Sequence, residues 1–126
     1  MILGIGTDIA EIERVEQLFA KSGNTFAEYI LSEAERRILA ERAGKAEFLA
    51  GRWAAKEAFA KALGCGISRD FSFTDIEILP DEKGAPKVHV LDGSAKETVN
   101  RLGVKKIHLS ISHERKYAVA MTVLED

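Results

Sequence analysis

Trp53-Ala54-Ala55-Lys56-Glu57-Ala58-Phe59-Ala60-Lys61 reads as the centre of a helix predicted from Ala46 to Leu63 and closed by Gly64-Cys65-Gly66. At about 100° per residue, Glu57 and Lys61 share a face with Ala50 and Trp53, while Phe48, Ala55, Phe59 and Ala62 form an ordinary core face. Leu49, Ala60 and Leu63 cover one flank and Ala54 and Ala58 the other. Glu57 is therefore surrounded on its own helix by alanine and apolar residues, and the small alanines let a second backbone or a ligand approach closely. Two readings of Glu57 and Lys61 stand side by side. They form an i, i+4 pair that stabilises the helix by about 0.2–0.5 kcal/mol, or Glu57 binds a metal and Lys61 faces a phosphate. A lone carboxylate in apolar surroundings is costly unless it is paired or metal-bound.

Upstream, Gly4-Ile5-Gly6-Thr7-Asp8 falls in a strand predicted over Ile2 to Ile9. Leu3, Ile5, Thr7 and Ile9 point to one face, and Ile2, Gly4, Gly6 and Asp8 to the other. The two glycines leave space for something to pack beside Asp8. That residue is either the N-cap of the helix that follows or, with Glu57, a ligand of magnesium. Magnesium takes one or two carboxylates and keeps positions for water and phosphate oxygens. No Cys/His cluster offers a competing zinc site.

The rest of the chain supplies a frame. A helix is predicted from about Glu11 to Lys21, ended by Gly23-Asn24, with a helical turn over Phe26 to Leu31. Ser32 and Glu35 make a capping-box pattern that opens a helix to about Arg42. Phe73 to Leu79 alternates loosely as a strand. Pro80 to Pro86, with Gly84, is a turn region, and Lys87 to Leu91 a short strand. Ser94 to Leu102 reads as a helix stopped by Gly103, with Ser94 as its N-cap or a first-turn residue. Lys106 to Ser112 and Tyr117 to Leu124 form an antiparallel hairpin around His113-Glu114-Arg115-Lys116. The expected class is α+β: one small domain over residues 1–126, with an antiparallel sheet packed on helices.

Composition narrows the function. With 126 residues, 46% of them hydrophobic, the chain fits one packed core. The formal net charge of -2 gives no global pull toward nucleic acid or an anionic membrane, so an anionic ligand needs a local cluster of cations. A single cysteine, Cys65, excludes an intrachain disulfide and fits a reducing compartment. The amino terminus lacks a signal-peptide pattern and no apolar run is long enough to span a bilayer. A soluble cytoplasmic protein is expected.

The two motifs, taken together, resemble the paired signature of the 4′-phosphopantetheinyl transferases, and most of all bacterial holo-acyl-carrier-protein synthases. Phe48-Leu49-Ala50-Gly51-Arg52, Gly64 and Gly66, Gly84 and Pro86, and Ser110-Ile111-Ser112-His113 extend the resemblance over nearly the whole chain. It implies a trimer with each active site between adjacent subunits. It implies coenzyme A as donor, a serine of apo acyl carrier protein as acceptor, and adenosine 3′,5′-bisphosphate as product. Asp8 and Glu57 match the family's magnesium ligands, and Lys61 its lysine near the pyrophosphate. Arg52, Gly66, Gly84, Pro86, Ser112 and His113 fall where the family contacts the nucleotide part of coenzyme A. For carrier docking the family uses basic residues on its first helix. Here Arg14, Gln17 and Lys21 share a face, but Glu11, Glu13 and Glu16 lie on the same helix, which departs from a strongly basic surface.

Plainer readings remain beside these. His113 at a hairpin turn is also an ordinary solvated residue, Cys65 a small filler between glycines, and His89 and His108 carry no motif. Alternative functions are a different magnesium-dependent nucleotide phosphotransferase, against which the absence of a Walker-type loop counts, and a non-catalytic trimeric binding module. An oligomer is also expected from the motif helix itself, which is apolar round most of its circumference.

Overall fold

The computed structural model describes residues 1–67 and 71–126. Its elements run β1 (Ile2–Glu11), α1 (Ile12–Ile30), α2 (Glu33–Ala40), α3 (Lys45–Leu63), a single 3-10 turn (Phe73–Asp75), β2 (Ile76–Pro80), β3 (Pro86–Val90), α4 (Ser94–Leu102), β4 (Lys106–His113) and β5 (Tyr117–Glu125). β1, β5 and β4 form an antiparallel sheet in that order, and β2 and β3 pair as a separate hairpin. This is the expected α+β domain with an antiparallel sheet on helices.

Gly4 and Gly6 determine how the sheet meets the long helix. A Cβ built on Gly4 would lie 2.1 Å from the Ala62 carbonyl oxygen, and one on Gly6 would lie 1.9 Å from that of Ala58. Only glycine lets β1 press its backbone onto α3 at that distance. Across the register, Gly6 sits opposite Thr122 and Asp8 opposite Ala120. Ala118, Ala120, Thr122 and Leu124 of β5 are buried on the same face against α3. Alternation then puts Ile5, Ile9, Val119 and Met121 on the outer face of the sheet, where each is between 42% and 62% exposed.

The same packing corrects one expectation. Ala50, Ala54, Ala55, Ala58, Phe59 and Ala60 are fully buried within this single chain. The apolar circumference of α3 is therefore covered by its own domain, and among the described residues the outer face of the sheet carries a group of exposed apolar side chains.

Two boundaries differ by more than two residues. Helix α1 does not end at Lys21 but runs to Ile30 through a kink at Gly23, whose φ of 51° and ψ of -122° are non-helical. Helical geometry resumes because Ala27 and Ile30 are buried and the Phe26 ring packs 5.6 Å from that of Trp53. Phe73 opens the 3-10 turn rather than a strand. The capping box forms as the sequence predicts: Ser32 accepts from the Glu35 backbone N–H and Glu35 from that of Ser32. The N-cap of α4 is Gly93, which leaves Ser94 in the first turn.

Candidate active site

The end of β1 and the middle of α3 meet in an open cleft of about 450 Å³. Asp8, Glu57 and Lys61 all line it, with Trp53, Arg14 and Tyr117 around them. Lys61 Nζ donates to Asp8 Oδ1 at 3.0 Å and to the Thr7 carbonyl at 3.1 Å. Lys61 thus reaches across to the strand, and Asp8 is not a helix cap: the N-cap of α1 is Glu11, without a side-chain capping bond. The close approach of β1 at Gly6 makes this cross-element bond possible, since Asp8 is the next residue on the same face of the strand.

The Glu57 carboxyl is held above its ordinary range, first by partial burial and then by the neighbouring negative charge of Asp8. A hydrogen bond from the Trp53 side chain and the Lys61 charge oppose that rise. Trp53 is itself fixed by Phe26 and by Phe73, whose ring lies 6.2 Å away. A carboxylate whose ionisation is disfavoured by burial and by a neighbouring negative charge is a setting in which a divalent cation would be welcome. Among the described residues no group of three or more His, Cys, Asp and Glu could hold a metal. The protein would contribute two carboxylates and leave the other positions to water or substrate oxygens, which suits magnesium better than zinc.

A second cleft, of about 590 Å³, opens on another side of α3. Arg52, Gly84, Pro86 and His113 line it, together with Arg42 and Arg115. Arg42 and Arg52 both lie over the Phe48 ring, with guanidinium carbons 5.2 and 4.5 Å from its centroid. Glu47 and Glu114 add negative charge at the rim. Gly66, beyond the C-terminus of α3, and Ser112, exposed on β4, line neither cleft. Arg14, Gln17 and Lys21 are exposed on α1 before its kink, and of the three only Arg14 reaches the carboxylate cleft.

Sequence reasoning missed a buried charge cluster beneath the second cleft. Glu35 and Lys56 are both fully buried and bonded at 2.6 Å. Lys56 also donates to the Ile30 carbonyl at 2.7 Å. Burial pushes the Lys56 amine down from its usual range, and the Glu35 charge opposes that shift. Removing one partner of such a pair typically costs about 3–5 kcal/mol. A signal was present: Lys56 lies on the flank of α3 that carries Leu49, Ala60 and Leu63, and a lysine in such a row needs a buried acid.

The 4′-phosphopantetheinyl transferase superfamily model matches residues 4–122. The chain belongs to that superfamily. It is 48% identical to the holo-[acyl-carrier-protein] synthase of Photobacterium profundum over 124 residues, covering 98% of both chains. It is 51% identical to the Aliivibrio fischeri enzyme of the same name, again covering 98% of each. Among solved structures, the Neisseria meningitidis holo-[acyl-carrier-protein] synthase superposes with a TM-score of 0.93 at 37% identity, each chain covered completely. The Helicobacter pylori synthase, solved in complex with coenzyme A, gives 0.85 at 34% identity and covers 96% of this chain and 99% of its own. A phosphopantetheinyl transferase must bind a pyrophosphate donor and a bulky protein acceptor. Two open clefts and an exposed helix are compatible with that pair of ligands. No helix among the described residues is long and apolar enough to cross a membrane.

Proposed function

We propose that this chain transfers the 4′-phosphopantetheine group from coenzyme A to a serine of apo acyl carrier protein, releasing adenosine 3′,5′-bisphosphate in the cytoplasm. The observation that carries the reading is the meeting of Asp8, Glu57 and Lys61 in one cleft, with Lys61 Nζ 3.0 Å from Asp8 Oδ1. The serine oxygen bonds to the β-phosphorus of the pyrophosphate, and the bond from that phosphorus to the bridging oxygen breaks. Such a transfer depends on positioning and charge neutralisation. Lys61 meets the negative charge that grows on the leaving oxygen and can protonate it. Asp8 or Glu57 holds the water that accepts the serine proton. Asp8 and Glu57 would hold magnesium, which when bound would supply neutralising charge to the pyrophosphate.

The cleft of Arg52, Gly84, Pro86 and His113 takes the nucleotide end of coenzyme A, and Gly66 and Ser112 contact coenzyme A outside that cleft. Its arginines provide the local cations that a chain of net charge -2 otherwise lacks. Arg14, Gln17 and Lys21 on α1 receive the carrier protein, since Arg14 joins that exposed face to the carboxylate cleft. The protein assembles as a trimer, and each active site combines the carboxylate cleft of one subunit with the nucleotide cleft of the next. The exposed Ile5, Ile9, Val119 and Met121 support an assembly, because that apolar face has no cover within one chain. Light scattering that finds an active monomer would refute the shared site.

The reaction is tested by incubating apo acyl carrier protein with coenzyme A, magnesium and this protein, then weighing the carrier by mass spectrometry. A gain of one phosphopantetheine is expected. Binding of the carrier without a mass change would make the protein a binding module instead.

A further inference from the structure

Glu35 touches more of the molecule than any capping role requires. Its Oε1 accepts from the Ser32 N–H at 2.9 Å and from Lys56 Nζ at 2.6 Å. Its Oε2 accepts from the Ile78 N–H at 2.9 Å and lies 3.9 Å from Arg52 Nε. One carboxylate therefore ties together α2, α3 and β2. Two of these contacts bear on the arginine-lined cleft: Arg52 forms part of its wall, and β2 leads through the turn that carries Gly84 to Pro86, the first residue of β3.

Arg52 needs such an anchor. It is only 8% exposed, and its Nε is buried without a hydrogen bond. Its guanidinium is otherwise placed by the Phe48 ring and repelled by Arg42, while Glu35 supplies the attraction. The Glu35 charge is not simply a stabilising feature. Buried ion pairs of this sort can often be replaced by apolar groups of similar volume without loss of stability. Its particular consequence lies at Arg52, where it supplies the attraction that offsets the repulsion from Arg42.

We propose that Glu35 is a positioning residue for coenzyme A, acting through Arg52: its buried carboxylate holds the Arg52 guanidinium in the arrangement that grips the anionic nucleotide end. This rests on the assignment of that cleft to the nucleotide. Glu35 itself touches no substrate, and the chemistry at Asp8, Glu57 and Lys61 lies in the other cleft.

The test uses the full-length protein and two readouts, steady-state kinetics and calorimetric binding of adenosine 3′,5′-bisphosphate. Glu35→Gln with Lys56→Met removes both buried charges together, so that neither is left unpaired. This double variant should stay folded, with the KM for coenzyme A raised about tenfold, the loss expected of one charge-assisted contact, and kcat little changed. Glu35→Asp, which keeps the charge but withdraws it by one methylene, should raise KM less, and it serves if the double variant does not fold. The decisive measurement is a cycle with Arg52→Ala. In the Arg52→Ala background, the Glu35 changes should add nothing further to KM. A wild-type KM in the Glu35 variants overturns the proposal, as do losses that multiply in the Arg52→Ala background. If Arg52→Ala alone leaves both KM and bisphosphate binding unchanged, the assignment of the cleft fails, and the proposal with it.

Discussion

Replacing Gly6 by alanine tests the link between the close packing of β1 and the chemistry at its end. The new Cβ would sit 1.9 Å from the Ala58 oxygen, 2.7 Å from the Ala62 nitrogen and 2.9 Å from the Ala58 carbonyl carbon. All three are backbone atoms of α3, so no side chain can rotate aside. Reaching an ordinary carbon–oxygen contact of about 3.4 Å requires β1 and α3 to separate by roughly 1.5 Å. Overpacking of this kind costs about 3 kcal/mol. For a chain of this size, that lowers the melting temperature by roughly 9–15 °C. The same separation would carry Asp8 out of hydrogen-bond reach of Lys61, which is now 3.0 Å away. A displacement near 1 Å can cost about 100-fold in rate, so kcat should fall by that order even below the melting temperature. Gly4→Ala is the comparison: its Cβ would meet the Ala62 oxygen at 2.1 Å, but farther along the strand from Asp8. It should destabilise similarly and reduce kcat less. Thermal melts and carrier-modification rates on both variants provide the measurement. A Gly6→Ala protein that melts within about 3 °C of wild type and transfers at a comparable rate would refute the reasoning.

Three further outcomes are expected. Asp8→Ala and Glu57→Ala should each abolish transfer while circular dichroism shows an intact fold; near-normal activity at limiting magnesium would remove that residue from the metal site. Lys61→Ala should lower kcat more than it weakens coenzyme A binding, because its charge matters most as the leaving oxygen becomes negative; equal losses would indicate simple ground-state binding. Arg14→Glu with Lys21→Glu should raise the KM for carrier protein, with an effect that shrinks at high salt, because exposed ion pairs contribute about 0.2–1 kcal/mol each and are screened. Since Arg14 lines the carboxylate cleft, its single variant should also lower kcat, whereas Lys21→Glu should change KM alone; an unchanged carrier KM at low salt would move docking to another surface.

Local patterns were legible wherever one residue type has one strong local use. Ser32 with Glu35 gave a capping box that forms, Gly64 and Gly103 end their helices in left-handed geometry, and the alternation of Ile107, Leu109 and Ile111 led to a strand that pairs with β5. The end of α1 was not legible. Gly23-Asn24 carries a local stop signal, yet burial of Ala27 and Ile30 on distant residues restores the helix after the kink. Glu35 was read as a cap because its partner there is three residues away. Its partners Lys56 and Ile78 lie 21 and 43 residues away, where no periodicity reaches.

By itself, the sequence determined most of the elements and their class, and it pointed to Asp8, Glu57 and Lys61 as candidates for phosphoryl-transfer chemistry. Alternation, helical spacing and the conformational limits of glycine act over a few neighbouring residues. Only the tertiary structure decided that Lys61 reaches Asp8 rather than remaining a partner of Glu57 on its own helix. It alone separated Arg52, Gly84, Pro86 and His113 from the carboxylates into a second cleft. It also moved the uncovered apolar surface from the motif helix to the outer face of the sheet. The physical reason is common to all three. Which face is covered and which charge finds which partner depend on how closely two elements can approach, and here that distance is set where the bare backbone of Gly4 and Gly6 meets the carbonyls of Ala58 and Ala62.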